Sequence, residues 1–79
     1  MIDVQIPKLG MSAVEVDILK VLVSAGAMVA PGQPLVEVES EKVSFMIESE
    51  WHGLVREVKV AAGDIVNVGD VVVVIDEQH

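Results

Sequence analysis

Hydrophobic and polar residues alternate over short stretches of this chain. Val36 and Val38 alternate with glutamates, and Val43, Phe45 and Ile47 occupy every second position of the stretch that follows. A period of two places the apolar side chains on one face of a β-strand. Glycines and prolines separate these stretches, and no interval between them has the pattern of an amphipathic helix. The pattern predicts an all-β sandwich or barrel.

Eight strands are predicted from this pattern, at residues 2–7, 14–24, 28–29, 35–39, 43–48, 54–60, 65–66 and 71–76. Many apolar positions are valines, and Phe45 and Trp51 are the only aromatic residues. β-Branched side chains favour strands over helices, which agrees with the alternation.

The second half of the sequence repeats the first at a shift of 37 residues, from Gly26 to Gly63. The same shift carries Gly32 onto Gly69, so both halves have identical glycine spacing. Seven positions are identical: Val21, Val23, Ala25, Gly26, Val29, Gly32 and Val36 fall on Val58, Val60, Ala62, Gly63, Val66, Gly69 and Val73. The repeat predicts two facing sheets related by an approximate two-fold axis.

Each half also breaks its alternation at the same place. Ile18 and Val21 are three residues apart, and so are their mates Val55 and Val58. A shared change of phase predicts a β-bulge, or a strand that crosses between sheets, in both halves. The shift carries Lys42 to position 79, so we expect Lys42 and the chain termini at opposite ends of the domain.

Composition limits the classes of function. A length of 79 residues fits one domain, residues 1–79, with 52% hydrophobic residues to build its core. The net charge of -8 argues against nucleic acids and anionic membranes as partners. No cysteine is present, and the longest apolar run, residues 71–75, is too short to span a bilayer.

No constellation of catalytic or metal-ligating residues is evident in the sequence. His52 and His79 lack the spacing of metal ligands, and no serine has a plausible base. Among the lysines, only Lys42 stands between two well-patterned strands, in the polar connection Ser40-Glu41-Lys42. A hairpin tip exposes its side chains, so Lys42 is the candidate functional residue.

The chain resembles the lipoyl domains of 2-oxo acid dehydrogenase acyltransferases over nearly its whole length. Five segments carry the resemblance: residues 7–11, 36–43, 47–49, 62–64 and 68–70, together with the glycines at 26, 32 and 53. The resemblance implies a flattened barrel of two four-stranded antiparallel sheets. In that family an acidic residue and a modified lysine occupy a β-turn, and Glu41-Lys42 matches the pair.

The resemblance also implies a cofactor and partners. Lys42 would carry lipoic acid in amide linkage, attached by a lipoate ligase or lipoyl transferase. The arm would be reductively acylated by a thiamine-diphosphate-dependent 2-oxo acid or acetoin dehydrogenase (E1). It would pass the acyl group to coenzyme A at an acyltransferase core (E2) and be reoxidised by dihydrolipoyl dehydrogenase (E3). The domain itself would be a monomeric, non-catalytic carrier.

Two groups of residues are candidates for partner recognition. The first surrounds the lysine and comprises Glu39, Ser40, Glu41 and Val43, with Glu48 further along. The second is the loop that the family places near the lysine, which includes Leu9, Gly10 and Met11. Acidic side chains at such positions would steer a basic partner surface.

The sequence departs from the family at several places. Glu50-Trp51-His52 stands where proline and small residues are common, Val21 replaces a frequent tryptophan, and the turn is Ser-Glu-Lys-Val rather than Thr-Asp-Lys-Ala. These departures bear on partner identity rather than on the fold.

Three alternatives remain open. A biotin carrier shares the fold but normally has methionine on both sides of its lysine, unlike Glu41 and Val43. An unmodified barrel used as a structural module would lack the acidic-lysine turn, and an enzyme would need a catalytic set. The start Met1-Ile2-Asp3 shows no targeting segment, so we expect a bacterial cytoplasmic location, with the mitochondrial matrix as the eukaryotic equivalent.

Overall fold

A computed structural model describes residues 1–8, 15–41 and 43–78 of the chain. All regular structure in this part is β-strand, as the alternation predicts. The strands are β1 (Ile2–Gln5), β2 (Glu15–Val21), β3 (Met28–Val29), β4 (Pro34–Ser40), β5 (Val43–Glu48), β6 (Gly53–Val58), β7 (Ile65–Asn67) and β8 (Val71–Glu77).

The strands form two four-stranded antiparallel sheets. The first sheet has the order β1-β8-β6-β3 and the second has the order β5-β4-β2-β7. The predicted fold class is confirmed. Each sheet takes strands from both halves of the sequence, so neither half could bury its apolar face without the other.

The predicted two-fold repeat is visible in the register of the strands. Asp17 pairs with Glu39 across β2 and β4, and 37 positions later Leu54 pairs with Asp76 across β6 and β8. The loops match as well: the Gly26 N–H donates to the Val55 carbonyl at 2.9 Å, and its mate Gly63 donates to Ile18 at 2.8 Å.

The predicted change of phase is a pair of matched bulges. The β2–β4 register shifts between Ile18 and Lys20, and the β6–β8 register shifts between the mates Val55 and Glu57. A bulge adds one residue to one strand, so the side chains after it change faces. This explains why apolar residues three apart both point into the core.

One hydrophobic core lies between the sheets. Its buried members are Val4, Ile6, Val16, Ile18, Val29, Leu35, Val36, Val38, Ile47, Val55, Val72, Val73 and Ile75. Six of these side chains lie on β4 and β8, two of the strands that have neighbours on both sides. Burial of this apolar surface is the main stabilising contribution in so small a domain.

Some strand ends differ from the prediction. The predicted strands at residues 2–7, 14–24 and 54–60 end earlier, at Gln5, Val21 and Val58. The chain beyond them still bonds to the sheets, since Leu22 donates to Leu35 at 2.9 Å and Lys59 donates to Val72 at 2.8 Å. These are single hydrogen bonds at strand ends rather than continued pairing.

Candidate functional site

The β4–β5 hairpin places the Glu41-Lys42 pair at a chain reversal. The two strands pair from Pro34 opposite Glu48 to Ser40 opposite Val43. Only Glu41 and Lys42 connect them, and Lys42 lies outside the described residues. Two-residue hairpin connections usually require positive φ angles, and Glu41 has φ of 51°.

Surface exposure differs between the neighbours of this connection. Glu41 is exposed, and Val43 is 55% exposed although it is apolar. Glu39 is half-buried on the outer side of β4. The residues that flank Lys42 in sequence are therefore accessible to a protein that approaches this end of the domain.

Ser40 is buried, whereas a residue that contacts a partner would be exposed. Its side chain is 4% exposed, and its hydroxyl donates to the carbonyl oxygen of Glu15 at 3.3 Å. Glu15 is the first residue of β2. The Ser40 side chain is thus buried against β2 rather than exposed on the surface of the hairpin.

Glu48 lies further from the β4–β5 connection than a residue expected to contact a partner there. It is exposed, but it pairs with Pro34 at the end of the hairpin away from the connection. At roughly 3.4 Å per residue, the five steps from Val43 separate it by about 17 Å. Of the predicted acidic group, Glu39 and Glu41 lie at the end of the hairpin that carries the connection, and Glu48 lies at the other end. Leu9, Gly10 and Met11 lie outside the described residues.

The residues that follow β5 lie close in space to Gln78. Ser49 is 2% exposed, and its hydroxyl donates to the Trp51 carbonyl at 2.7 Å. The next residue, His52, is exposed, and its carbonyl accepts a hydrogen bond of 3.0 Å from the Gln78 N–H. The Glu41-Lys42 connection and Gln78 therefore lie at opposite ends of β5. Trp51 is partly buried and packs against the core.

The other lysines occupy different environments. Lys20 is exposed within β2, and Lys8 is exposed three residues after β1. Lys59 follows β6, with its Nζ 3.6 Å from Oε1 of Glu57. None of these three lysines lies in the two-residue connection of a hairpin.

The described part of the chain holds neither a metal-binding cluster nor a membrane-spanning helix. Within residues 1–8, 15–41 and 43–78, no group of three or more histidine, cysteine, aspartate or glutamate side chains could hold a metal ion. In the same residues no helix has the length and hydropathy needed to cross a membrane.

Sequence reasoning missed both buried serines. Ser40 is predicted as a partner-recognition residue and no role is predicted for Ser49, yet the hydroxyl of each donates to a backbone carbonyl. A serine at the end of an apolar strand carries no pattern that separates these two outcomes.

The sequence of this chain is similar to those of known proteins. A family model described as "Biotin-requiring enzyme", for biotin and lipoyl domains, matches residues 2–75. The dihydrolipoyllysine-residue acetyltransferase component of the pyruvate dehydrogenase complex of Pseudomonas aeruginosa is 37% identical over 70 residues, which are 89% of this chain and 13% of that protein. The "Biotin/lipoyl attachment protein" of Bacillus subtilis is 44% identical over 52 residues, covering 66% of this chain and 71% of that protein.

A solved structure agrees in fold. The lipoyl domain of the 2-oxoglutarate dehydrogenase complex from Azotobacter vinelandii superimposes with a TM-score of 0.83 over 100% of both chains, at 23% identity. The chain spans only 13% of the acetyltransferase relative from Pseudomonas aeruginosa. The family model matches nearly the whole chain, so the chain belongs to the biotin/lipoyl attachment-domain family.

Proposed function

We propose that this domain carries lipoic acid on Lys42, as an amide between the lysine Nζ and the lipoyl carboxyl group. The observation that carries the proposal is the β4–β5 hairpin, whose whole connection is the Glu41-Lys42 pair. Membership of the attachment-domain family supports covalent modification of a lysine. The relatives that are named as lipoyl proteins support lipoic acid as the group.

The residues around Lys42 fit such a group. A long arm needs an attachment point from which it can swing without striking the domain. Glu41 on one side is exposed, and Val43 on the other side is more than half exposed. When bound, the lipoyl group supplies a dithiolane ring that accepts electrons and acyl groups, whereas the protein supplies the paired hairpin that holds the attachment point.

The partners of the proposed carrier follow from its relatives. Named relatives are acyltransferase components of pyruvate, branched-chain and 2-oxoglutarate dehydrogenase complexes. We place this domain in the same kind of protein, where it would carry an acyl group from an E1 decarboxylase to an E2 acyltransferase core. An E3 dehydrogenase would then reoxidise the dithiol of the arm. A tether would raise the effective concentration of the arm at each active site.

Intact-mass measurement tests the attachment. The unmodified protein is incubated with a lipoate ligase, ATP and lipoic acid, and the mass should rise by one lipoyl group. Lys42→Ala should remove the adduct. Lys20→Ala, which changes another exposed lysine, should leave it in place. An unmodified wild-type protein, or an adduct that persists in Lys42→Ala, contradicts the proposal.

Biotin is the second candidate group. The family description names biotin, and the "Biotinylated protein TB7.3 homolog" of Mycobacterium leprae is 36% identical over 58 residues. The flanking residues Glu41 and Val43 differ from the methionines that usually flank a biotinylated lysine. A parallel incubation with a biotin ligase and biotin separates the two, because the adducts differ in mass.

A further inference from the structure

The hydroxyl of Ser40 joins two strands at the point where the hairpin leaves the sheet. The last backbone pair between β2 and β4 on this side is Asp17 with Glu39. Ser40 is the next residue along β4, and its Oγ reaches the Glu15 carbonyl at 3.3 Å. The side chain thus extends the contact between the strands beyond their paired residues.

Glu15 is itself fixed from its other side. It pairs with Asn67 of β7, as Val16 pairs with Val66. A displacement of the end of β4 would therefore have to break the Ser40 hydrogen bond or move a strand that β7 holds. Ser40 as a residue is only 4% exposed, so its hydrogen bond has little competition from water.

The other half of the repeat has a different residue and a different hydrogen bond at this position. The mate of Ser40 is Glu77, which is exposed, and the mate of Glu15 is His52. There the His52 carbonyl accepts the backbone N–H of Gln78 at 3.0 Å. The equivalent position in the other half thus holds an exposed, charged side chain. No lysine follows two residues after it.

We propose that Ser40 is a positioning residue for the modification of Lys42. Its buried hydroxyl holds the end of β4 against the start of β2, and this fixes the direction in which the β4–β5 connection is presented to the modifying ligase. The inference rests on the proposed lipoyl function. It assigns Ser40 an internal role in place of the partner contact expected from the sequence.

The test compares lipoylation kinetics of four forms of the 79-residue protein with a purified lipoate ligase. Ser40→Ala removes the hydroxyl, and Ser40→Thr retains it. The control is Ser49→Ala, which removes the hydroxyl of the other buried serine at the opposite end of β5. Loss of one hydrogen bond predicts a fall in kcat/KM of about 2- to 10-fold for Ser40→Ala.

We expect the loss in kcat rather than in KM, because the contact surface is unchanged whereas the direction of the amine is not. Ser40→Thr should restore the rate, and Ser49→Ala should match the wild type. Thermal unfolding of each form is measured in parallel. If Ser40→Ala does not fold, Ser40→Cys, which keeps the volume and has a weaker donor, takes its place.

Three results would overturn the inference. They are a wild-type rate for folded Ser40→Ala, an equal loss in Ser49→Ala, and a failure of Ser40→Thr to recover the rate. Each of them leaves lipoylation of the wild type intact. A wild-type protein that takes no lipoyl group contradicts the proposed function itself, so the two failures are distinct.

Discussion

Asp17 of β2 lies directly opposite Glu39 of β4, so two carboxylates share one face of the second sheet. In the other half of the repeat the mates are Leu54 and Asp76, and Asp76 has Nη1 of Arg56 at 4.0 Å. Like charges directly opposite each other destabilise a sheet. The half that contains Lys42 thus carries an unfavourable pair that the other half lacks.

Replacing one member of this pair should stabilise the domain. We expect Asp17→Lys to raise the free energy of unfolding by roughly 0.2–1 kcal/mol, because a repulsive pair becomes an attractive one. The gain should shrink at high salt. Urea denaturation at two salt concentrations measures both effects.

The matched control is Asp3→Lys. Asp3 is exposed on β1 and lies opposite Val74, so the substitution makes the same change of net charge without relieving a like-charge pair. Equal stabilisation by the two substitutions would show that overall charge, and not the cross-strand pair, is responsible.

Partner recognition should depend on acidic residues beside Lys42 and not on those further away. We expect Glu39→Gln to lower kcat/KM for reductive acylation by a cognate E1 by roughly two- to fivefold, and to weaken its salt dependence. Glu48→Gln, on the same sheet at the far end of β5, should have little effect. Similar losses from both would assign the effect to general electrostatic attraction.

Lipoylation should depend on which of the two connecting positions holds the lysine. Exchanging them, Glu41→Lys with Lys42→Glu, keeps the net charge and the two-residue length of the connection. Stability should change by less than about 0.5 kcal/mol. Lipoylation should fall by about 100-fold, because the amine is displaced from the ligase's reacting group. Efficient modification of the exchanged form, measured by intact mass, would show that the ligase tolerates either position.

Alanine should cost less at Gly26 and Gly63 than at Gly53, because the physical reason for the cost differs. Gly26 and its mate Gly63 both have φ of 95° and open space where a Cβ would stand, so each substitution should cost about 1–2 kcal/mol through backbone strain alone. A Cβ on Gly53 would lie 2.6 Å from the Asp76 carbonyl oxygen and from Cγ2 of Ile75. We expect Gly53→Ala to cost more, about 3 kcal/mol.

Chemical denaturation of the three single variants gives the comparison. Unequal costs for Gly26→Ala and Gly63→Ala would mean that the two halves do not share the same local energetics. A cost for Gly53→Ala no greater than for the other two would show that β6 and β8 can separate slightly without loss.

The bulges were predictable because a change of phase is written in the spacing of apolar residues. Ile18 and Val21 must both reach the core, and an interval of three allows this only if one residue is added to the strand. The repeat then provided the second bulge. Strand ends were less predictable, because Val23 and Val60 extend the apolar pattern beyond the last paired residues.

Features that depend on distance in space were not predictable. Nothing in the sequence around Ser40 indicates that the carbonyl of Glu15, 25 residues away, will accept its hydroxyl. Alternation reports which face a side chain occupies but not its height along the barrel.

The two-fold repeat supplies an internal standard for mutational scanning of this domain. Strands β2, β3 and β4 correspond to β6, β7 and β8 at a shift of 37 residues, and the bulges lie at matching places. When the same substitution is made at both mates, subtracting one fitness effect from the other removes the structural cost that the two positions share. What remains after subtraction would map the surface by which the domain is recognised, even before the enzymes that recognise it are identified.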